Sequence, residues 1–301
     1  MAEQNQKLAD LGEDALVKRL VKDLETRSDV AVAAGDDCAV IRGGKRGHYL
    51  LLKTDCIIEG VHYAADTPPS RVGYKALARA ISDIAAMAGK PQHALVTLIL
   101  QAERSVSYAR AIYRGLSRAA KEHDIAIVGG ETACPAKGGS ALISVSLTGK
   151  VATKRCCLRS GGRPGDVLFV TGKLGGSLKG HHLRFEPRIA QAAWLAGNFK
   201  PRAMMDLSDG LAADLPRLAS ASGCGYRIDV QALPCRRGHS MKQALHDGED
   251  YELLFALPAR NVAGLIKNWK KQFPGLPLSQ IGTLTKPGTS DPHLAGGWQH
   301  F

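Results

Sequence analysis

The sequence predicts two α/β (α+β) domains, and three observations carry that prediction. Strand-like and helix-like stretches mix in both halves of the chain. The 301 residues suit about two domains at the usual ~100–200 residues each. Between the halves, Arg159-Ser160-Gly161-Gly162-Arg163-Pro164-Gly165-Asp166 is rich in turn formers and reads as a linker. We place an N-terminal domain at 1–152 and a C-terminal domain at 153–301. A composition of 45% hydrophobic and 23% charged residues can bury a core, which excludes a disordered tail or a coiled coil. No apolar run approaches the ~18 residues of a membrane span. The first twenty residues lack the basic-then-apolar order of a secretory signal. The seven cysteines form no Cys-x-x-Cys pair, so disulfide-scaffold, zinc-ribbon and thioredoxin readings fail. A reduced, cytoplasmic, soluble protein is expected.

The elements follow from periodicity and punctuation. Gly12-Glu13-Asp14 opens a helix whose apolar face is Leu16, Leu20 and Leu24, with Val17 and Val21 beside them. Asp36-Asp37 leads into a strand at Cys38 to Ile41, and Gly43-Gly44-Lys45-Arg46-Gly47 reads as a hairpin-like turn. A second strand, Tyr49 to Lys53, is expected to end at Thr54-Asp55. A helix runs from about Arg71 to Met87 and stops near Gly89-Lys90-Pro91. His93 to Leu100 is a strand and Ser105 to Glu122 a helix. Ile125 to Val128 is a strand expected to stop on Gly129-Gly130-Glu131, and Ala141 to Val151 alternates as a strand. In the second half, Val167 to Thr171, Ala203 to Met205, Tyr226 to Val230 and Tyr251 to Leu257 are strands. Helices are expected near Pro187 to Leu195, from Asp209 to about Ser220, and at Val262 to Lys271.

Charge narrows the class of partner. Lys and Arg total 40 against 28 Asp and Glu, a net +12; residues 1–150 carry +3 and residues 151–301 carry +9. A basic balance favours anionic partners such as phosphorylated small molecules. Aromatics are 5% and no Lys/Arg run with interleaved aromatics occurs, so a general nucleic-acid platform finds little support. The chain has no G-x-x-x-x-G-K-[ST] phosphate loop, no G-x-G-x-x-G, no G-x-S-x-G and no H-E-x-x-H.

Carboxylates recur instead at strand ends: Asp36-Asp37, Asp55, Glu131, and Asp206 with Asp209 beyond it. Asp83 sits among apolar residues within a helix, where an unpaired charge is very costly. Carboxylates brought together repel and raise one another's pKa. Magnesium removes that conflict and binds oxygen ligands together with substrate phosphates. Taken singly, each piece has an ordinary structural explanation, as a turn, an N-cap or a tight glycine turn. The ordered set is far more specific, and it points to a metal–phosphate site.

Eight segments, in this order, resemble the thiamine-monophosphate kinases of the aminoimidazole-ribonucleotide-synthetase-like superfamily. They are Gly35-Asp36-Asp37-Cys38-Ala39-Val40; Thr54-Asp55 with Glu59-Gly60-Val61-His62-Tyr63; Gly73-Tyr74-Lys75-Ala76-Leu77; Ser82-Asp83-Ile84-Ala85-Ala86-Met87; Gly129-Gly130-Glu131-Thr132; Arg159-Ser160 with Pro164-Gly165-Asp166; Asp206-Leu207-Ser208-Asp209-Gly210-Leu211; and Gly248-Glu249-Asp250-Tyr251-Glu252-Leu253. The terminal Gly297-Trp298-Gln299-His300-Phe301 is similar to that family's closing motif.

The resemblance implies an N-terminal domain that binds ATP and metal and pairs its sheet with a second subunit as a homodimer, and a C-terminal domain that covers nucleotide and substrate. It implies transfer of the ATP γ-phosphoryl group to thiamine phosphate, with Mg2+ as the ion. By motif, Asp36, Thr54, Asp55, Asp83, Glu131, Asp206 and Asp209 would surround magnesium. Gly130, Glu131, Arg159 and Ser208 would contact ATP. His62, Glu249 and Trp298 would hold thiamine phosphate, with the indole facing the cationic thiazolium. Phosphate attacking phosphate needs charge neutralisation and in-line positioning more than a protein nucleophile, so no catalytic Cys/His or Ser/His pair is required.

The chain departs from that pattern in places. Glu131 stands where the family usually has Asp, and Lys53 where a small hydroxyl is typical; Lys53 could point away, replace one ion's charge or bind phosphate itself. Pro216 interrupts the helix after Asp209. The stretch Gly175 to Arg188 is short and basic, either a phosphate-facing or a solvated loop. Lys53 and Glu131 leave open a superfamily paralogue acting on another phosphorylated small molecule. The departures and the +9 second half leave open a nucleotide- or RNA-binding protein without turnover.

Overall fold

The computed structural model describes residues 6–43, 46–291, 294 and 296–298. Gly44 and Lys45 of the expected hairpin turn, and Gln299 to Phe301 of the closing motif, lie outside the described residues. Two short helices, α1 (Leu8–Leu11) and α2 (Glu13–Lys22), precede a six-stranded sheet. Its strands are β1 (Val30–Val32), β2 (Ala39–Arg42), β3 (His48–Ile58), β4 (Lys90–Ile99), β5 (Ala126–Ala133) and β6 (Leu142–Ala152), in the order β1-β2-β3-β6-β4-β5. Helix α3 (Pro69–Ala86) joins β3 to β4, and α4 (Val106–Glu122) joins β4 to β5. The β4–β5 pair is parallel, as its helical crossover requires, and the other pairs are antiparallel.

One face of this sheet, with Val40, Leu51, Ile57, Val96, Ile143 and Val145, packs on Leu77, Ile81 and Ile84 of α3 and on Ile112 and Leu116 of α4. Helices α3 and α4 meet backbone to backbone: a methyl at Gly115 would lie 1.9 Å from the Ser70 carbonyl oxygen. Pro69 opens α3 at a position where its missing N–H costs nothing. Among the described residues nothing covers the other sheet face, which exposes Leu52, Leu95 and Val128 of β5.

The second half is a five-stranded antiparallel sheet, β7 (Val167–Thr171), β8 (Ala203–Asp206), β9 (Gly225–Ile228), β10 (Leu253–Leu257) and β11 (Leu278–Thr285), ordered β8-β10-β7-β11-β9. Helices α5 (Ile189–Asn198), α6 (Leu211–Ala221), α7 (Met241–His246) and α8 (Val262–Gln272) complete it. Every residue of β7 and β10 is buried because both faces are covered. Leu168, Val170 and Leu254 pack with α6 and α7, while Phe169 and Phe255 pack with α5 and α8. Helix α3 also packs against β8 and α5, so it is buried almost all round and spans both halves. Among the described residues, no helix is long and apolar enough to cross a membrane.

The structure corrects several expectations. Strand β3 does not stop at Thr54-Asp55 but runs through them to Ile58. Strand β5 likewise runs through Gly129-Gly130-Glu131. The glycine pair is strand rather than turn: Gly130 has φ 155°, and a methyl on it would lie 1.8 Å from the Val96 carbonyl oxygen. Glycine there lets β5 press against β4. Pro216 lies inside α6, which continues past it to Ala221. The apolar side of α2 is not buried, and Leu20 and Leu24 are exposed. Helices α1 and α7 and strands β1 and β11 are additional to the predicted elements. All seven cysteines are free.

Candidate active site

The predicted carboxylates reach the junction of the two halves from separate elements. Asp83 comes from the last turns of α3, Asp55 from β3, Asp206 from the end of β8, and Asp36 and Asp37 from the turn before β2. They line, or lie against, a cavity of about 750 Å³ whose wall also includes Lys53, Arg79, Arg159, Ser208, Asp209 and Tyr251. Carboxylate oxygens of Asp37, Asp83 and Asp206 all lie within 4.8 Å of one another. The sequence singled out Asp36 of the Asp36-Asp37 pair; Asp37 is the one that completes this cluster.

The electrostatics show what that convergence costs. Burial, and next the charge of Asp37, push Asp206 up to about 7. Burial drives Asp83 well above the carboxylate range; Lys53 opposes this, while Asp206, Asp55 and Asp37 add to it. Asp36 is raised to about 7 by burial and by Asp37. Ser82 Oγ donates to Asp206 Oδ2 at 2.5 Å. Arg159 crosses from the interdomain linker, its Nη2 2.6 Å from Asp37 Oδ1 and its backbone N–H donating to Asp36 Oδ2 at 3.0 Å. The other Asp37 oxygen, Oδ2, is buried without a hydrogen-bond partner among the described residues. An orphaned carboxylate oxygen beside two more carboxylates fits a small divalent cation taking oxygen ligands.

Lys53 points into this cluster, with Nζ 2.7 Å from Asp83 Oδ1. Its placement excludes the outward-pointing alternative. Asp209 sits at the rim and pairs with Arg217, which also reaches Asp14 of α2 and Asp214. The fully buried Asp214 accepts the backbone N–H groups of Ser208 and Asp209, each at 3.0 Å, and so fixes that loop.

A second, narrower cavity adjoins the first and is lined by His62, Arg79, Ser208, Asp209, Glu249 and Trp298, among others. Its floor is an ionic network. Lys75, fully buried, donates to the His62 carbonyl at 2.6 Å and pairs with Glu249, whose carboxylate also meets His182 Nδ1 at 3.1 Å. Burial raises the Glu249 carboxyl, but the His182 hydrogen bond and then the Lys75 charge outweigh it, so the group is held down at about 2. Burial in turn lowers Lys75 to about 8, against the pull of Glu249. His62 Nδ1 accepts the Ile58 backbone N–H, and the Trp298 backbone N–H donates to the Asp209 carbonyl at 2.9 Å. Within the 175–188 stretch, Leu178 lines this cavity, His182 joins the network and Arg188 pairs with Glu252 rather than facing a ligand.

Three predicted residues are not brought to either cavity within one chain. Thr54 is exposed on the uncovered sheet face. Gly130 and Glu131 lie on β5, three strands from β3, which is roughly 14 Å at the usual strand spacing. Two residues that do line or support the site, Lys75 and Arg79, were not singled out. Their signal was present: in an apolar helix, Lys75, Arg79, Ser82 and Asp83 are polar at i, i+4, i+7 and i+8, a single stripe on one face.

The two sheets, and the carboxylate-lined cavity where they meet, define an AIR synthase related two-domain protein. Residues 35–151 match the AIR synthase related protein N-terminal domain and residues 163–294 its C-terminal domain. The chain is 38% identical to a thiamine-monophosphate kinase of Rhodopirellula baltica, over 85% of this chain and 84% of that one. It is 33% identical to that of Aquifex aeolicus, over 98% and 100%. A solved structure described as AaThiL complexed with AMPPCP and TMP superposes with a TM-score of 0.83 at 32% identity, covering 99% of both chains. The chain belongs to the thiamine-monophosphate kinase family.

Proposed function

We propose that this chain transfers the γ-phosphoryl group of ATP directly to thiamine phosphate, giving thiamine diphosphate and ADP with no covalent enzyme intermediate. The observation that carries this reading is the pair of adjoining cavities, one ringed by carboxylates and the other by His62, Glu249 and Trp298, in a chain of this family. The relative solved with AMPPCP and TMP supports the choice of both substrates.

In this reading Asp36, Asp37, Asp55, Asp83, Asp206 and Asp209 would hold magnesium, directly or through water. When bound, magnesium would supply positive charge that offsets the repulsion of the reacting phosphates. Arg159 and Ser208 contact the nucleotide. Trp298 presents an aromatic face to the thiazolium, and Glu249, fully ionised, adds a negative charge near the same cation. The acceptor oxygen is already ionised near neutral pH, so no general base is needed, and the work of the side chains is alignment and exclusion of water.

We also propose that the chain is a homodimer through the uncovered face of the six-stranded sheet. By register, Thr54 shares that face with Ser146 and Leu95, and Glu131 pairs with Thr97 on it. A second copy covering this face would bury Leu52, Leu95 and Val128. It is also the route by which Thr54, Gly130 and Glu131 could join a nucleotide site. Leu95→Glu is expected to halve the mass measured by light scattering; a wild-type chain that is already monomeric overturns the pairing.

The function is tested by incubating the chain with ATP, Mg2+ and thiamine phosphate and measuring thiamine diphosphate. Product at a rate that saturates with both substrates is expected. Its absence at saturating substrate overturns the reading, and ADP release only with a different phosphorylated acceptor would favour a sister kinase, the reading that Lys53 inside the cluster keeps in view.

A further inference from the structure

The two cavities share three wall residues, Arg79 from α3 and Ser208 and Asp209 from the loop after β8. A group that passes from a donor in one cavity to an acceptor in the other must cross this seam. Of the three, Arg79 alone is cationic. Its side chain is 13% exposed, with Nε 3.2 Å from Asp55 Oδ2 and Nη1 donating to the Cys56 carbonyl at 3.1 Å. The Nε–Asp55 contact is an ion pair without hydrogen-bond geometry, and Nε is buried with no hydrogen-bond partner among the described residues. Tyr251, 3% exposed and also on the donor-cavity wall, has a buried hydroxyl in the same condition. A buried hydroxyl without a partner, on the same wall as a guanidinium held by one ion pair and one carbonyl, marks where a ligand with several acceptor oxygens would be satisfied.

We propose that Arg79 is a catalytic residue that grips the phosphoryl group in transit and the acceptor phosphate beside it. The proposal rests on the kinase reading above. In the step it serves, an acceptor phosphate oxygen forms a bond to the γ-phosphorus while the bond from that phosphorus to the β,γ-bridging oxygen breaks. The electron pair leaves on ADP, and negative charge is spread over the transferring and leaving oxygens at the moment of transfer. A planar guanidinium fixed by Asp55 and the Cys56 carbonyl can donate to oxygens of both groups at once, which a lysine ammonium, a point charge, cannot. The residue lies one helical turn beyond Lys75 and one before Asp83, so the same stripe of α3 carries the acceptor support, the seam and the metal end.

The test uses the full chain as wild type, Arg79→Lys and Arg79→Met. Turnover should fall roughly 10²–10³-fold in both variants, with little change in KM for ATP, because the nucleotide is held elsewhere. Calorimetry should show ADP affinity unchanged, while the complex of ADP, aluminium fluoride and thiamine phosphate, a mimic of the transferring phosphoryl, weakens by a similar factor. Mn2+ affinity without nucleotide, read by electron paramagnetic resonance, should not fall, because Asp55 is left with no competing cation from Arg79. Rescue by lysine together with a loss of Mn2+ affinity would overturn the proposal, because Arg79 would then only be holding Asp55. If Arg79→Met does not fold, Arg79→Lys decides alone. A wild-type chain inactive on thiamine phosphate sinks the kinase reading and this inference with it; an active wild type beside an undiminished Arg79→Met sinks this inference only.

Discussion

Asp206→Asn is expected to lower turnover by roughly 10³-fold while making the metal-free protein more stable at pH 8. The two effects share one cause. Asp206 is buried against Asp37, and both burial and that neighbour raise its pKa to about 7, against the ordinary 3.8. A folded-state pKa above the unfolded one means that the native state binds the extra proton. Stability from this group is therefore fully present at low pH, is lost as pH rises from about 4 to about 7, and stays lost above that. Asparagine removes the titration and keeps an oxygen to accept from Ser82. Thermal melts in chelator should place the variant above wild type at pH 8, with the gap shrinking toward pH 4. Mg2+ should raise the melting temperature of wild type more than that of the variant. Equal melting at pH 8 together with near-normal turnover would show that Asp206 is not part of a strained carboxylate cluster.

Lys75→Met should have the largest effect on folding. It leaves Glu249 and the His62 carbonyl without their buried donor, and breaking one side of a buried ion pair costs about 3–5 kcal/mol. Methionine fills much of the volume, so the loss reports the charge rather than a cavity. Urea unfolding at pH 8 measures it. Lys75→Met combined with Glu249→Gln should recover part of the loss, because the stranded carboxylate is gone, yet bind thiamine phosphate poorly. A single variant as stable as wild type would mean that His182 alone suffices to hold Glu249.

The fold was legible in the sequence where periodicity was intact. Helices α3, α4 and α8, and strands β4, β6, β7 and β10, follow patterns that side-chain alternation or helical spacing makes visible. Strand β11 was not visible, because its register shifts between Gln280 and Gly282 and the bulge breaks the two-residue alternation. Helix α7 has only six residues, although its Ser240-x-x-Gln243 capping box stood in the sequence as a start signal. Strands β3 and β5 run past the carboxylates and glycines that mimic punctuation in the sequence, because long-range pairing holds them extended. In the site, the sequence indicated which segments carry charge but not which of two adjacent aspartates turns inward. Asp36 and Asp37 differ by one residue in a turn, and only the position of Arg159, more than a hundred residues away, separates their roles. Lys53 was the opposite case: its identity raised the question, and the strand's alternation toward α3 decides it.

Helix α3 acts as a ruler. From Lys75 to Asp83 is eight residues, about 12 Å along the axis at the usual helical rise, and the backbone between them is locked by a sheet, a glycine-faced neighbour and the second domain. The gap between the carboxylate end and the Lys75 end is therefore a property of the main chain. Under the proposed function, side-chain changes along the stripe would retune which phosphate esters are accepted, while accommodating a longer acceptor would require moving a rod that is packed almost all round.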